Sequence, residues 1–266
     1  MKRHLNLIHA FSRINYEKLK DKLKLKNVNV NISDKKILDE ISNTGISIIP
    51  NYYSDELCNQ IIDDLEEIIK DNKVNVWKDK WGADNRVYAS QKYSELINNY
   101  HNDQYLFKLA EAYLKAPVIN SHTLGAKLIT EEENLGSGGG WHRDSVYRIQ
   151  FKSILYLNDV EYNNGPFEYI IGTHKKKSVY SSILKNNFKS HQNRISENQI
   201  EDFIVKNKVY QKRIFTAKKG TLILVDTSGI HRGMPIIEGT RYALTNYFFP
   251  KHHYSMKSKS VFEKLF

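Results

Sequence analysis

The sequence predicts an α+β fold: a run of helices followed by an antiparallel jelly-roll barrel. Two observations carry this. Up to about residue 116 the apolar positions recur mainly at helical spacing, and from about residue 117 they fall in short alternating runs separated by turn-forming residues. Chains that place helices first and many short strands afterwards bury both kinds of apolar face by packing helices against a sheet sandwich or barrel. The expected organisation is a single domain over 1–266, with a helical support over about 1–116, a jelly-roll core over about 117–250 and an insertion at 175–210.

Residues 13–27 are helix-compatible and rich in lysine, with Leu19, Leu23 and Leu25 as weak apolar anchors, and 35–42 form a short helix. Gly45-Ile46-Ser47-Ile48-Ile49-Pro50 reads as a brief strand closed by its proline. The clearest helix spans 54–71. Ser54 caps it, Asp55 and Glu56 sit in its first turn, and Leu57, Ile61, Leu65, Ile68 and Ile69 make one stripe. A second helical zone covers 91–115, where Tyr105, Leu106, Leu109, Ala110 and Tyr113 recur. Strands are expected at 118–130, 148–157, 167–171, 211–216, 221–225 and 241–249. In the second of these Ile149, Phe151, Leu155 and Leu157 share one face, and Arg148, Gln150 and Lys152 the other. Between them lie a glycine-rich loop ending Ser137-Gly138-Gly139-Gly140, the turn Asn163-Asn164-Gly165-Pro166, and the insertion, with one helix near 196–206.

Composition bounds the function. With 40% hydrophobic and 26% charged residues the chain is of ordinary globular type, and no apolar run approaches the roughly 18 residues of a membrane span. The basic start is too short and too interrupted in its apolar part for a secretory signal. Cys58 is the lone cysteine, which rules out an intramolecular disulfide and fits a reducing cytoplasm. A formal charge of +10 raises the question of a nucleic-acid partner. The lysines are scattered over 18–26, 175–177, 218–219 and 251–264, however, and Asn and Ile are over-used alongside Lys. Compositional bias explains this better than a nucleic-acid surface. An anionic small-molecule substrate is the second reading, and nothing in the sequence sets an oligomeric state.

The chemistry-bearing stretch is Trp141-His142-Arg143-Asp144, answered by His231-Arg232-Gly233 and Arg241. His142 and Asp144 are two apart, so on an extended strand both side chains fall on one face. With His231 arriving from a distant strand they form the two-histidine, one-carboxylate set of a mononuclear non-haem Fe(II) site, with three coordination positions open. Arg241 begins a strand and offers a planar fork suited to a carboxylate. Each residue has a plainer reading: His142 as a hydrogen-bonded surface histidine, His231 as a turn residue, Arg241 as a surface charge. The ensemble, in this order, is what points to metal chemistry.

On these residues the chain resembles the phytanoyl-CoA dioxygenase family of Fe(II)/2-oxoglutarate oxygenases. The resemblance covers roughly 45–250 and rests on three segments. One is His142-x-Asp144. The next is Asn163-Asn164-Gly165-Pro166-Phe167-Glu168-Tyr169-Ile170-Ile171-Gly172-Thr173-His174-Lys175. The last runs from Gly220-Thr221-Leu222-Ile223-Leu224-Val225-Asp226 to Ile230-His231-Arg232-Gly233 and Arg241. The resemblance implies a double-stranded β-helix, with His142, Asp144 and His231 on iron and Arg241 on the distal carboxylate of 2-oxoglutarate. It further implies a dioxygen-dependent oxidative decarboxylation, releasing succinate and carbon dioxide, coupled to substrate oxidation. Two departures stand out. The small hydroxyl residue often found two positions after the distal histidine is Gly233 here, so another side chain has to support the cosubstrate; Thr245, on the same strand face as Arg241, suits this. Ile171 replaces the usual proline, a structural change.

Lys127, on the strand before the motif loop, is placed near the inner carboxylate of 2-oxoglutarate. Tyr147 and Arg148 either face substrate or lie in solvent, and His174 belongs to a structural turn. Halogenating relatives of the wider group carry a small residue at the carboxylate position; Asp144 therefore favours hydroxylation. Segments 72–90 and 175–210 are expected to shape the pocket mouth, and their Trp, Tyr, Lys and Arg content suits a polar or anionic small molecule. Two rival classes exist: a redox-neutral metal-binding jelly roll, which has no use for Arg241, and a nucleic-acid binder or nucleotide-directed oxygenase.

Overall fold

Helix-forming and strand-forming stretches alternate early in the chain and then give way to sheet. The computed structural model describes residues 2–22 and 31–254. In chain order the elements are α1 (Lys2–Lys22), α2 (Ile32–Thr44), β1 (Ile46–Ile49), α3 (Asp55–Lys70), β2 (Val76–Lys78), β3 (Asp84–Val87), α4 (Glu95–His101), α5 (Gln104–Leu114) and β4 (Val118–Ile129). Then follow β5 (Phe151–Tyr156), β6 (Phe167–Ile170), α6 (Lys176–Asn186), α7 (Glu197–Lys206), β7 (Lys212–Phe215), β8 (Leu222–Asp226), β9 (His231–Gly233) and β10 (Thr240–Pro250).

The strands form two antiparallel sheets, one in the order β1-β8-β5-β10-β4-β3-β2 and the other β7-β6-β9. Together they make the double-stranded β-helix, with helices laid on the outer face of the larger sheet. Alternation sorts the side chains. Leu222 and Leu224 of β8 join Leu155, Leu244 and Phe248 in a core shared with α3, α4 and α5. Ile223 and Val225, one residue out of phase, face the smaller sheet with Tyr156, Phe167, Tyr169 and Ala243. Helix α3 buries Cys58, Ile61, Leu65 and Ile68 on one stripe, and its Ser54 side chain accepts from the Leu57 amide. Burying an aliphatic side chain of this kind contributes about 1.5–3 kcal/mol.

The structure corrects several details. The segment read as helical support supplies the expected brief strand as β1 and, beyond it, β2 and β3, all in the larger sheet. The zone at 91–115 is two helices, separated where Asp103 caps α5. The insertion holds two helices, because α6 packs against α1 through Val179 and Ile183, meeting Ala10 and Ile14. Leu19 is exposed rather than an anchor. Leu23, Leu25 and the lysines beyond 254 lie outside the described residues.

Candidate active site

The two histidines are brought together by backbone pairing. His142 and His231 exchange both amide–carbonyl hydrogen bonds at 2.9 Å across an isolated antiparallel bridge, and their ring centroids lie 4.3 Å apart. His142 is thus not on a regular strand, as expected, but on a loop pinned at one bridge to β9. The chain stays extended enough to alternate. Asp144 returns to the same side and its amide donates to the Thr227 carbonyl at 3.0 Å. Arg143, between them, points the other way into the protein, donating to the carbonyls of Thr173 and Ser228 and to Ser178 Oγ. Those bonds fasten the loop to the turns at 173 and 228, a role sequence reading did not assign.

One ligand atom from each of His142, Asp144 and His231 lies within 4.8 Å of the others. Both imidazoles have a fixed tautomer. His142 Nδ1 lies 2.8 Å from the Gly140 carbonyl and His231 Nδ1 lies 2.9 Å from that of Gly229; carbonyls only accept, so both Nδ1 atoms carry the proton. Each Nε2 is left with its lone pair free, the arrangement metal-binding histidines show. Burial pushes His231 down to about 3, and the nearby His142 adds to this; burial lowers His142 as well, against the opposing pull of Asp144. Both rings are neutral near pH 7, as ligation requires. Removal from water works to raise Asp144. Lys152, 2.6 Å from its Oδ2, and the two histidines outweigh this and hold it well below the usual carboxylate range. The donor chemistry therefore fits a divalent metal.

These groups line a cavity of about 230 Å³ inside the barrel. Inward positions of β10 alternate down one wall as Arg241, Ala243 and Thr245, then Tyr247, and the neighbouring β5 supplies Lys152, Ile154 and Tyr156 to the same wall. Arg241 is 5% exposed, its Nε has no hydrogen-bond partner, and burial lowers its pKa. A buried guanidinium with an unused donor in a cavity is built to receive an acceptor. Thr245 lies on the same wall as Arg241, as strand alternation requires.

Lys127 does not join them. It falls out of phase with the cavity-lining Leu124 and Ala126, and its ammonium pairs with Glu66 of α3 at 2.5 Å on the outside of the sheet. That corrects its placement at the cosubstrate. Tyr147 and Arg148 also lie outside the cavity: the Tyr147 hydroxyl donates to the Ser190 carbonyl, and Arg148 pairs with Glu17. His174 contacts the Ser42 carbonyl at 3.1 Å, away from the cavity.

Four lining residues escaped the sequence reading. Lys152 is 9% exposed and pairs with Asp144; its place on the inward face of an alternating strand was the available signal. Arg86, in the segment expected at the mouth, is held by Asp84 and donates to Ser137 Oγ at 3.3 Å. Arg194, from the insertion, reaches the cavity and donates to the Gly138 carbonyl. Ser137 explains the missing hydroxyl at 233. A Cβ on Gly233 would lie 2.8 Å from Ser137 Cβ and 3.1 Å from Arg241 Nη2, so the serine from the loop fills the space a side chain at 233 would take.

A double-stranded β-helix holding a two-histidine, one-carboxylate cluster and a buried arginine defines the class of Fe(II)/2-oxoglutarate oxygenases. The sequence matches the model of the phytanoyl-CoA dioxygenase family over residues 42–236, and the chain belongs to that family. It is an Fe(II)/2-oxoglutarate-dependent oxygenase of small molecules, with a metal- and 2-oxoglutarate-binding site of that type. No curated protein gives a significant match. Among solved structures the fold is similar to SnoK, the non-haem α-ketoglutarate-dependent carbocyclase of nogalamycin biosynthesis, with TM-score 0.64, 12% identity and coverage of 85% of this chain and 87% of that one. The epimerase SnoN of the same biosynthesis gives 0.62, 11%, 82% and 83%. EctD from S. alaskensis, with bound Fe, gives 0.61, 13%, 85% and 80%. At these identities the likeness is one of fold. Among the described residues no helix is long and apolar enough to cross a membrane.

Proposed function

We propose that His142, Asp144 and His231 hold Fe(II), that Arg241 anchors the far carboxylate of 2-oxoglutarate, and that the enzyme hydroxylates a C–H bond of a polar or anionic small molecule. The observation that carries this reading is the unpartnered Nε of Arg241, buried in the same cavity as the three ligand atoms. When bound, iron and 2-oxoglutarate supply the oxidative decarboxylation that turns dioxygen into an oxidant of C–H bonds, with succinate and carbon dioxide released. The protein's own residues position and shield. The Gly140 and Gly229 carbonyls keep both imidazoles in the ligating tautomer. Ala126, Ile154, Phe167 and Ala243 give the cavity an apolar stretch, which suits the methylenes of the cosubstrate. Thr245 and Ser137 offer hydroxyls on the walls beside Arg241, where they support the cosubstrate. Asp144 supplies the third protein ligand, which favours hydroxylation over halogenation.

Arg194 and Arg86 add positive charge to the cavity lining, and this supports a substrate with anionic or strongly polar groups. Helices α2 to α5 and the larger sheet share one core, which supports reading 1–266 as a single oxygenase domain. The lone Cys58, buried in that core, agrees with a reducing cytoplasmic setting. The test is anaerobic titration of metal-free protein with Fe(II) and 2-oxoglutarate, following the weak visible metal-to-ligand charge-transfer band. The band is expected in the wild type, absent in His142→Ala and weakened in Arg241→Ala. Its absence from folded, iron-replete wild type overturns the reading.

A further inference from the structure

The Asp144 carboxylate has two oxygens in different surroundings. Oδ1 faces the histidines, 3.6 Å from His142 Nε2, whereas Oδ2 lies 2.6 Å from Lys152 Nζ. Lys152 is itself held. It sits opposite Tyr247 in the β5–β10 register, and its ammonium lies 4.1 Å from the Tyr247 ring centroid. That ring is stacked on His122, with centroids 4.4 Å apart and planes 16° from parallel. The lysine is 9% exposed, so its ammonium has no route to solvent that keeps it solvated. It is a rigid cation fixed against one oxygen of one proposed ligand.

We infer that Lys152 is a positioning residue that occupies Asp144 Oδ2 and so makes Asp144 a one-oxygen ligand. A carboxylate with both oxygens free chelates a divalent ion readily. One whose second oxygen is committed to a short charge-assisted hydrogen bond presents a single donor. The difference decides how many positions remain. Three protein donors leave three open places on a six-coordinate ion, enough for a two-point cosubstrate and dioxygen; a chelating Asp144 leaves two. Lys152 thereby keeps the site competent for 2-oxoglutarate without touching it. The inference rests on the metal reading proposed above.

The experiment compares wild type with Lys152→Met, which keeps length and loses the charge, and Lys152→Arg, which keeps the donor. Each protein is loaded anaerobically with Fe(II) for 2-oxoglutarate titration, and with Mn(II) for crystallography of the Asp144 coordination mode. In Lys152→Met, Asp144 is expected to chelate through both oxygens, with the Kd for 2-oxoglutarate raised at least tenfold. Lys152→Arg is expected to keep one-oxygen binding and a Kd within threefold of wild type. One-oxygen binding in Lys152→Met, or a Kd within threefold of wild type, overturns the inference. Lys152→Gln serves in place of the methionine variant if that protein does not fold. Failure of wild type to bind metal overturns the function proposed above instead, so the two failures are distinguishable.

Discussion

Gly138 and His142 touch so closely that a Cβ on Gly138 would lie 2.5 Å from the Cε1 of the imidazole. The glycine also holds φ at +86°, a conformation side-chain-bearing residues rarely adopt. Within the glycine run before the His-x-Asp motif, Gly138 therefore has a steric cause: its backbone lies against the ring and forms one wall of its slot. Gly138→Ala is expected to displace His142 and to weaken Fe(II) binding by about tenfold or more, within the range seen when support of a metal ligand is lost. Anaerobic metal titration beside far-UV circular dichroism checks this. Unchanged metal affinity in a folded variant would show the contact to be incidental.

Arg241 is expected to behave as a fork rather than a charge. Lysine in its place keeps the positive charge but reaches a carboxylate through one point. Arg241→Lys is therefore expected to raise the Kd for 2-oxoglutarate about 10- to 100-fold, on the order of the 1.5–3 kcal/mol that a hydrogen bond to a charged group contributes. Metal affinity should stay within about threefold of wild type. Equal 2-oxoglutarate affinity in the two proteins would place the cosubstrate elsewhere.

Ser137 and Gly233 share one space beside Arg241, and this gives a prediction of non-additivity. Gly233→Ser alone crowds Ser137 and the guanidinium and is expected to weaken 2-oxoglutarate binding. Adding Ser137→Gly vacates the space and is expected to restore most of the loss, because residues in contact couple. A double-mutant cycle on the 2-oxoglutarate Kd measures the coupling; strictly additive effects would separate the two positions.

The sequence was most legible where chemistry and periodicity coincide. His142 and Asp144 two apart, His231 after the apolar run 221–225 and Arg241 at a strand start are residue types with few plain alternatives in combination, and the fold brings them into one cavity. Helix α3 was readable because its cap and its stripe agree. Lys127 was misplaced because it was chosen by chemistry against alternation: Leu124 and Ala126 own the inward face of β4. Lys152 was on view as part of a polar strand face, but a polar face reads by default as solvent, and here it is the barrel interior. Helix α6 was hidden by Lys175-Lys176-Lys177 at its start, a poor match to the acidic first turn expected of a helix. Strands β2 and β3 are too short to show a period. Ser137 and Arg194 come to the cavity on loops, for which no periodicity exists.

The outward position of Lys127 makes a negative prediction worth measuring. Its ammonium pairs with Glu66, which also accepts from the Tyr242 hydroxyl and pairs with Lys70, and the Lys127 and Glu66 side chains are both partly solvent-exposed. Lys127→Ala should leave the Kd for 2-oxoglutarate within twofold of wild type and cost no more than about 1 kcal/mol of stability, the usual worth of such a pair. A tenfold loss of cosubstrate affinity would return Lys127 to the site.

Acid stability follows from histidines held neutral. His122 is fully buried against Tyr247, and burial, with Lys152 nearby, pushes it down to about 3. Burial likewise lowers His101 to about 4, and its Nδ1 lies 3.0 Å from the Asn120 amide nitrogen, a bond in which the ring nitrogen accepts and so carries no proton. In the unfolded chain both titrate near 6.5. Their folded values lie below this, so the unfolded state binds more protons in the interval. The stability they permit is fully present above about pH 6.5 and is lost as pH falls toward 4 and then 3. Each such histidine contributes up to about 1.4 kcal/mol per pH unit in that window. Asp144 acts lower, since a carboxyl held down loses its stabilising contribution only below its unfolded value near 3.9. Urea midpoints of metal-free protein are therefore expected to fall steadily from pH 6.5 to 4.5. His122→Phe, which keeps an aromatic ring against Tyr247, is expected to flatten that slope by about one proton. An unchanged slope in that variant would mean that His122 has the same protonation state in the folded and unfolded chains, and would remove it from the account.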